Sequence, residues 1–220
     1  MKKSLTLLSL AATALLPVSL LAADDSAKAD QLAREVWEAS GGLNWPNVKT
    51  VDFTFAVEKN GKTVARAEHH WDVAAQTDRV KWKGKEVKVN LADPAQDGDA
   101  KAAFARWTND SYWLLMPLKL RDHGLKVADE GLKEMDGAKR EVLHLSFEQV
   151  GLTPNDQYRL YIDPETKRVM SWDYMPKPGE TMHGTWDDYQ KTGGLMLATD
   201  HKMEGDVRIR ILDLKVTTAK

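Results

Sequence analysis

From Val48 onward the chain alternates apolar and polar residues with a period of two, and this one pattern excludes most folds. Val51, Phe53, Phe55 and Val57 alternate with Asp52, Thr54 and Glu58, and Asn60-Gly61 then marks a tight hairpin turn. Ala65, Ala67, His69, Trp71 and Val73 share one face of the next run; Val80 and Trp82, then Val87, Val89 and Leu91, extend the meander. After an interruption the alternation resumes over residues 138–147, 157–163, 168–175, 184–190, 195–203 and 207–216. Turn signals recur about every ten residues, the mark of a continuous antiparallel sheet and not of alternating strand and helix.

Two stretches break this period. Ala29, Leu32, Val36 and Ala39 recur at helical spacing, with Asp25 or Ser26 placed to cap the start and Gly41-Gly42 to stop the end. Residues 93–99, with Pro94, Gly98 and three Asp, end the first set of strands, and residues 100–107 are good helix formers. Asn109-Asp110-Ser111 reads as a cap before a second helical piece, residues 112–116, which Pro117 stops. The expected fold is α+β and mainly β. About ten strands form a strongly curved antiparallel sheet, an unclosed half-barrel, with an N-terminal helix and a mid-chain helical insert on its concave face. A helix packs unevenly on a sheet, so a hydrophobic gap is expected between them.

Lys2 and Lys3, an apolar run over residues 5–21 and the Ala22-Ala23 step read as a cleaved export signal over residues 1–23. Residues 24–220 are then expected to form a single domain. The chain has no Cys, which excludes a thiol nucleophile, a disulfide framework, a thiolate metal site and a lipid-modified N-terminal Cys. Its 31 Lys and Arg against 33 Asp and Glu, with no basic stripe, argue against a nucleic-acid partner.

Catalytic and metal chemistry finds little support. Within His69-His70-Trp71-Asp72 neighbouring side chains point to opposite faces of a strand, so the two His cannot hold one ion and read as ordinary strand residues. Asp93, Asp97 and Asp99 lack the order of a calcium loop, and Asp187-Asp188 are split across faces. The remaining His are scattered singly, and no Ser-His-Asp order, nucleophile elbow or phosphate loop occurs. No catalytic residue, metal or cofactor is expected. The positive signal is aromatic. Eight Trp are many for 220 residues, and Trp71, Trp82, Trp113, Met116, Met170, Trp172, Tyr174 and Trp186 fall on strands or on the insert. With Val36, Phe53 and Leu114 they are the candidate wall of a ligand cavity, and residues 176–180, Pro-Lys-Pro-Gly-Glu, are a candidate rim.

Residues 109–120 (NDSYWLLMPLKL), 161–172 (YIDPETKRVMSW) and the Ser40-Gly41-Gly42 to Trp45 element carry a resemblance that spans nearly the whole mature chain. The chain resembles the periplasmic lipoprotein carriers typified by LolA, LolB and LppX, and more closely the outer membrane lipoprotein-sorting relatives. The resemblance implies a periplasmic, non-catalytic and monomeric half-barrel whose apolar cavity holds a lipid or the acyl chains of a lipoprotein, with envelope membrane proteins as further partners. The alternative is an envelope protein-interaction or regulatory module whose concave face is simply filled.

Overall fold

The computed structural model describes residues 18–219. The export signal expected over residues 1–23 lies, up to residue 17, outside the described residues. Among the described residues no helix is long and apolar enough to cross a membrane.

The chain opens with α1 (Val18–Ala39) and a short 3-10 turn (Gly42–Asn47). Four strands follow: β1 (Val48–Lys59), β2 (Lys62–Asp72), β3 (Thr77–Trp82) and β4 (Lys85–Asn90). Next comes α2 (Gly98–Leu115), continued by a 3-10 turn (Met116–Lys119). Eight more strands complete the fold: β5 (Leu125–Met135), β6 (Ala138–Phe147), β7 (Gln157–Ile162), β8 (Val169–Met175), β9 (Met182–Thr185), β10 (Asp187–Thr192), β11 (Leu195–Met203) and β12 (Val207–Thr218).

They form one antiparallel sheet in the order β4-β3-β2-β1-β12-β11-β9-β8-β7-β6-β5, with β10 paired to β11 off this path. Since β4 and β5 do not meet, the half-barrel stays open, as expected. The strand count is twelve, not ten. One addition is β5, an edge strand whose residues are mostly exposed, so that no clean alternation announces it. Gly131 and the register shift between Asp129 and Leu132 interrupt it further. The other comes from the run 184–190, which divides at the buried Trp186: β9 pairs with β8, β10 with β11.

Both helices differ from the sequence expectation in a telling way. Asp25 and Ser26 lie inside α1 instead of capping it. At its other end Gly41 takes φ +86°, and a Cβ there would stand 2.3 Å from the Gly194 carbonyl oxygen, so only glycine fits this stop. The insert is one unbroken helix, and Asn109-Asp110-Ser111 is not a cap but its middle. The carboxylate of Asp110 is taken up elsewhere: it accepts from Arg106 Nε at 2.6 Å and from Asn109 at 2.8 Å, and faces the sheet. Pro117 sits in the 3-10 turn that ends the insert.

The apolar core is in three parts. One joins α1 to β6–β8 through Leu32, Val36, Leu143, Leu145, Ile162 and Trp172. A second joins Phe53, Phe55, Trp71, Leu114, Leu115 and Ile211. A small third holds Ala67, Val80, Val89 and Ala103, where α2 starts across the edge strands.

Candidate functional site

Between the second half of α2 and the strands β7 and β8 lies a cavity of about 600 Å³ that opens to solvent. Tyr112, Trp113 and Met116 line it from the insert, Tyr158, Trp172 and Tyr174 from the sheet, and Leu120, Leu125 and Phe147 from the side. Helical spacing puts the first three on one face. The middle three come together because Tyr158 pairs with Tyr174 and Leu160 with Trp172 across β7 and β8, so strand alternation turns all three rings to one side. The rings touch in series. Trp113 stands edge-on to Trp172 at 4.6 Å, Tyr158 lies 5.0 Å from Trp172 and stacks on Tyr174 at 5.1 Å, and Tyr112 lies 5.5 Å from Tyr158.

The mouth is greasy. Leu152, 55% exposed, and Met182, 45% exposed, line the cavity together with Val150 and Met203. Met182 follows the segment 176–180 that was expected to form a rim. Exposed apolar side chains clustered at the entrance of an apolar cleft mark a binding surface more specifically than isolated ones do.

One end of the cavity is polar. The Tyr174 hydroxyl donates to Asp156 Oδ2 at 2.8 Å, and Tyr112 and Tyr158 stand close enough to feel the same carboxylate. Burial, then the hydrogen bond to Asp156, pushes the Tyr174 phenol up to about 12. Burial likewise drives the Tyr112 and Tyr158 phenols far above their usual range. All three are therefore neutral hydrogen-bonding groups at ordinary pH, not proton acceptors poised for catalysis.

Of the side chains singled out from the sequence, the structure brings Trp113, Met116, Trp172 and Tyr174 together on this wall. The others lie elsewhere. Val36 and Trp186 are wholly buried in the core under α1 and beside Trp172, while Phe53, Trp71 and Leu114 belong to the core between α2 and β1–β2. Trp82 packs over the third core, and Met170 is half-buried away from the cavity. The reason is packing: Trp71 meets Trp107 edge-on at 5.2 Å, Phe53 stacks on His69, and Trp186 stands against Trp172 and His201. Tyr112, Tyr158 and Asp156 were not foreseen. Tyr158 was open to discovery, since it sits two residues from Leu160 on the inward face of a strand, but nothing in the sequence marks Asp156.

A buried polar clasp ties α2 to the sheet at Asp110, one turn before the cavity-lining Trp113. His69 Nδ1 lies 2.8 Å from Asp78 Oδ2, and Nε2 lies 3.1 Å from Asp110 Oδ2 on α2. Phe53 stacks on the imidazole at 4.5 Å. Burial alone would push His69 down, but hydrogen bonds to Asp110 and Asp78 and the charge of both carboxylates outweigh it, and its pKa is raised. The imidazolium donates from both nitrogens and ties the helix to β2 and β3. Among the described residues no set of three His, Cys, Asp or Glu could hold a metal ion.

No protein-family model matches the chain, and no curated protein matches it. Solved structures do. A DUF1329 family protein from Desulfovibrio piger shares 9% identity, with 87% of this chain and 92% of that one aligned at a TM-score of 0.52. A LolA superfamily protein from Nitrosomonas europaea also shares 9% identity, over 86% of this chain and 94% of its own, at a TM-score of 0.50. The fold is that of the LolA superfamily. An outer membrane lipoprotein-sorting protein domain from Vibrio parahaemolyticus superposes equally well, with 9% identity over 89% of this chain, 94% of its own and a TM-score of 0.50. The LolA-like fold here thus rests on almost no shared sequence, and it carries architecture alone.

Proposed function

We propose that the chain is an exported, non-catalytic carrier or sensor that holds a lipid, or the acyl chains of a lipoprotein, in the cavity under α2. The observation that carries this reading is the open cavity of about 600 Å³ walled by aromatic and methionine side chains, with Leu152 and Met182 exposed at its mouth. A void of that size and lining suits an acyl chain, and sulfur and ring surfaces adapt to flexible hydrocarbon. The LolA-like fold and the expected export signal support it, and with them a place in the periplasm. A module that only docks another protein has no need of such a void. A single domain over residues 24–220, acting as a monomer, completes the reading.

Native mass spectrometry of the protein isolated from its own membrane fraction tests it, with tryptophan fluorescence during fatty acid titration as the second readout. A lipid-sized adduct and a change in emission are expected, because Trp113 and Trp172 line the cavity. Absence of both defeats the proposal. Replacing Trp113 by Leu should cost about 1 kcal/mol of stability, the value of its edge-on pairing with Trp172, and weaken binding further.

A further inference from the structure

The polar end of the cavity has a sign. Asp156 is 7% exposed, lines the cavity, and receives one hydrogen bond, from Tyr174 to Oδ2. Its Oδ1 has no partner among the described residues, and no Lys, Arg or His forms an ion pair with it. Of the two bases on the cavity lining, Lys119 pairs with Asp122 at 3.4 Å, and His123 forms no ion pair with Asp156 among the described residues. The carboxylate is largely withdrawn from water with no cation beside it, and the oxygen that Tyr174 leaves free is open to a donor entering the cavity.

The surroundings say which partner. Tyr112, Tyr158 and Tyr174 line this end together with Asp156, and Tyr174 turns its hydroxyl to the carboxylate. An anionic head would meet the carboxylate's like charge, whereas a cationic head would meet an opposite one. Resting on the carrier reading above, we infer that the ligand is an amphiphile with an ammonium headgroup, its head held by Asp156 and the tyrosines and its tail lying along Trp113, Trp172 and the methionines.

Three probes of equal chain length separate the possibilities: dodecyltrimethylammonium, dodecanoate and the neutral monoglyceride of dodecanoate, each titrated calorimetrically below its micelle threshold. The ammonium probe is expected to bind about tenfold more tightly than dodecanoate. Asp156→Asn keeps an acceptor for the Tyr174 hydroxyl and removes the charge, so the fold should stand. It should erase about that tenfold advantage, so that the variant binds the ammonium probe and dodecanoate alike. If the monoglyceride binds but the ammonium probe has no advantage, or if Asp156→Asn retains it, the headgroup inference is overturned and the carrier reading survives. If none of the three binds, both fall.

Discussion

Over β2–β4 the helix α2 lies hard against the sheet, with Trp107 edge-on to Trp71 at 5.2 Å, Phe53 stacked on His69, and Ala103 wholly buried. Near β7 and β8 the same helix meets the sheet only through rings, Trp113 edge-on to Trp172 and Tyr112 against Tyr158, and the cavity opens beside them. Each region holds a buried histidine, and the two are pushed in opposite directions. His69 lies between two aspartates that favour its charged form; His201, beside Trp113 and Trp186, meets the Thr185 carbonyl oxygen through Nδ1 and has no carboxylate within hydrogen-bonding distance among the described residues. Burial drives His201 down to about 4. The contrast shows how one helix can be anchored and border a cavity at once. Directional bonds fix the helix at Asp110, and just beyond it the Tyr112 and Trp113 rings make non-directional contacts with Tyr158 and Trp172.

The clasp is the place to break the comparison hardest. Asp110→Ala leaves the buried His69 and the half-buried Arg106 without their shared carboxylate, and urea unfolding should show a loss of about 3 kcal/mol. A loss under about 1 kcal/mol would mean that apolar packing, not the clasp, seats the helix. Because the folded pKa of His69 is raised above 6.5, its contribution is complete below that pH and declines as pH climbs through the folded value.

The other histidine runs the opposite way. With a folded value of about 4 against an ordinary 6.5, His201 withholds a proton that the unfolded chain binds, so its stabilisation is present above pH 6.5 and disappears on acidification toward 4. At 1.36 kcal/mol per unit the full effect is about 3 kcal/mol. Thermal or urea unfolding of the wild type and His201→Phe across that range should reveal it as a difference between their pH slopes, the lost Thr185 contact cancelling between pH values. Parallel slopes would remove the contrast between the two histidines. The smallest effect belongs to the rim. Leu152→Ser, at an exposed position, should shift stability by no more than about 0.5 kcal/mol while lowering affinity for an acyl probe, and equal binding would detach the mouth from the cavity's role.

The sheet was legible because alternation is a local signal: Val51, Phe53 and Phe55 declare a strand without reference to what it meets. Where the signal is not local, reading failed. Asn109-Asp110-Ser111 has the composition of a cap, and only the approach of His69, forty-one positions away, turns it into the interior of a helix. The same limit governs the cavity wall. Trp71 and Trp172 look alike in sequence, each a buried Trp on an alternating strand, yet one packs on Trp107 away from the cavity and the other borders it. Which of them meets the cavity is decided by how the helix sits on the sheet, an arrangement no spacing of residues encodes.

The pairing of β1 with β12 sets a clock. Thr50 and Thr217 touch through their hydroxyls at 2.6 Å although 167 positions separate them, and the register runs the length of both strands. These two strands stand next to each other in the interior of the sheet order, so its centre joins the earliest strand to the latest. A growing or emerging chain can build the β1–β4 meander, but it has no neighbour for the other side of β1 until β12 appears. Contacts so distant in sequence form slowly, and a sheet that depends on them completes late. The cavity, which lies on the far side of that junction from the β1–β4 meander that helps to seat α2, is consequently finished only after the last strand is in place.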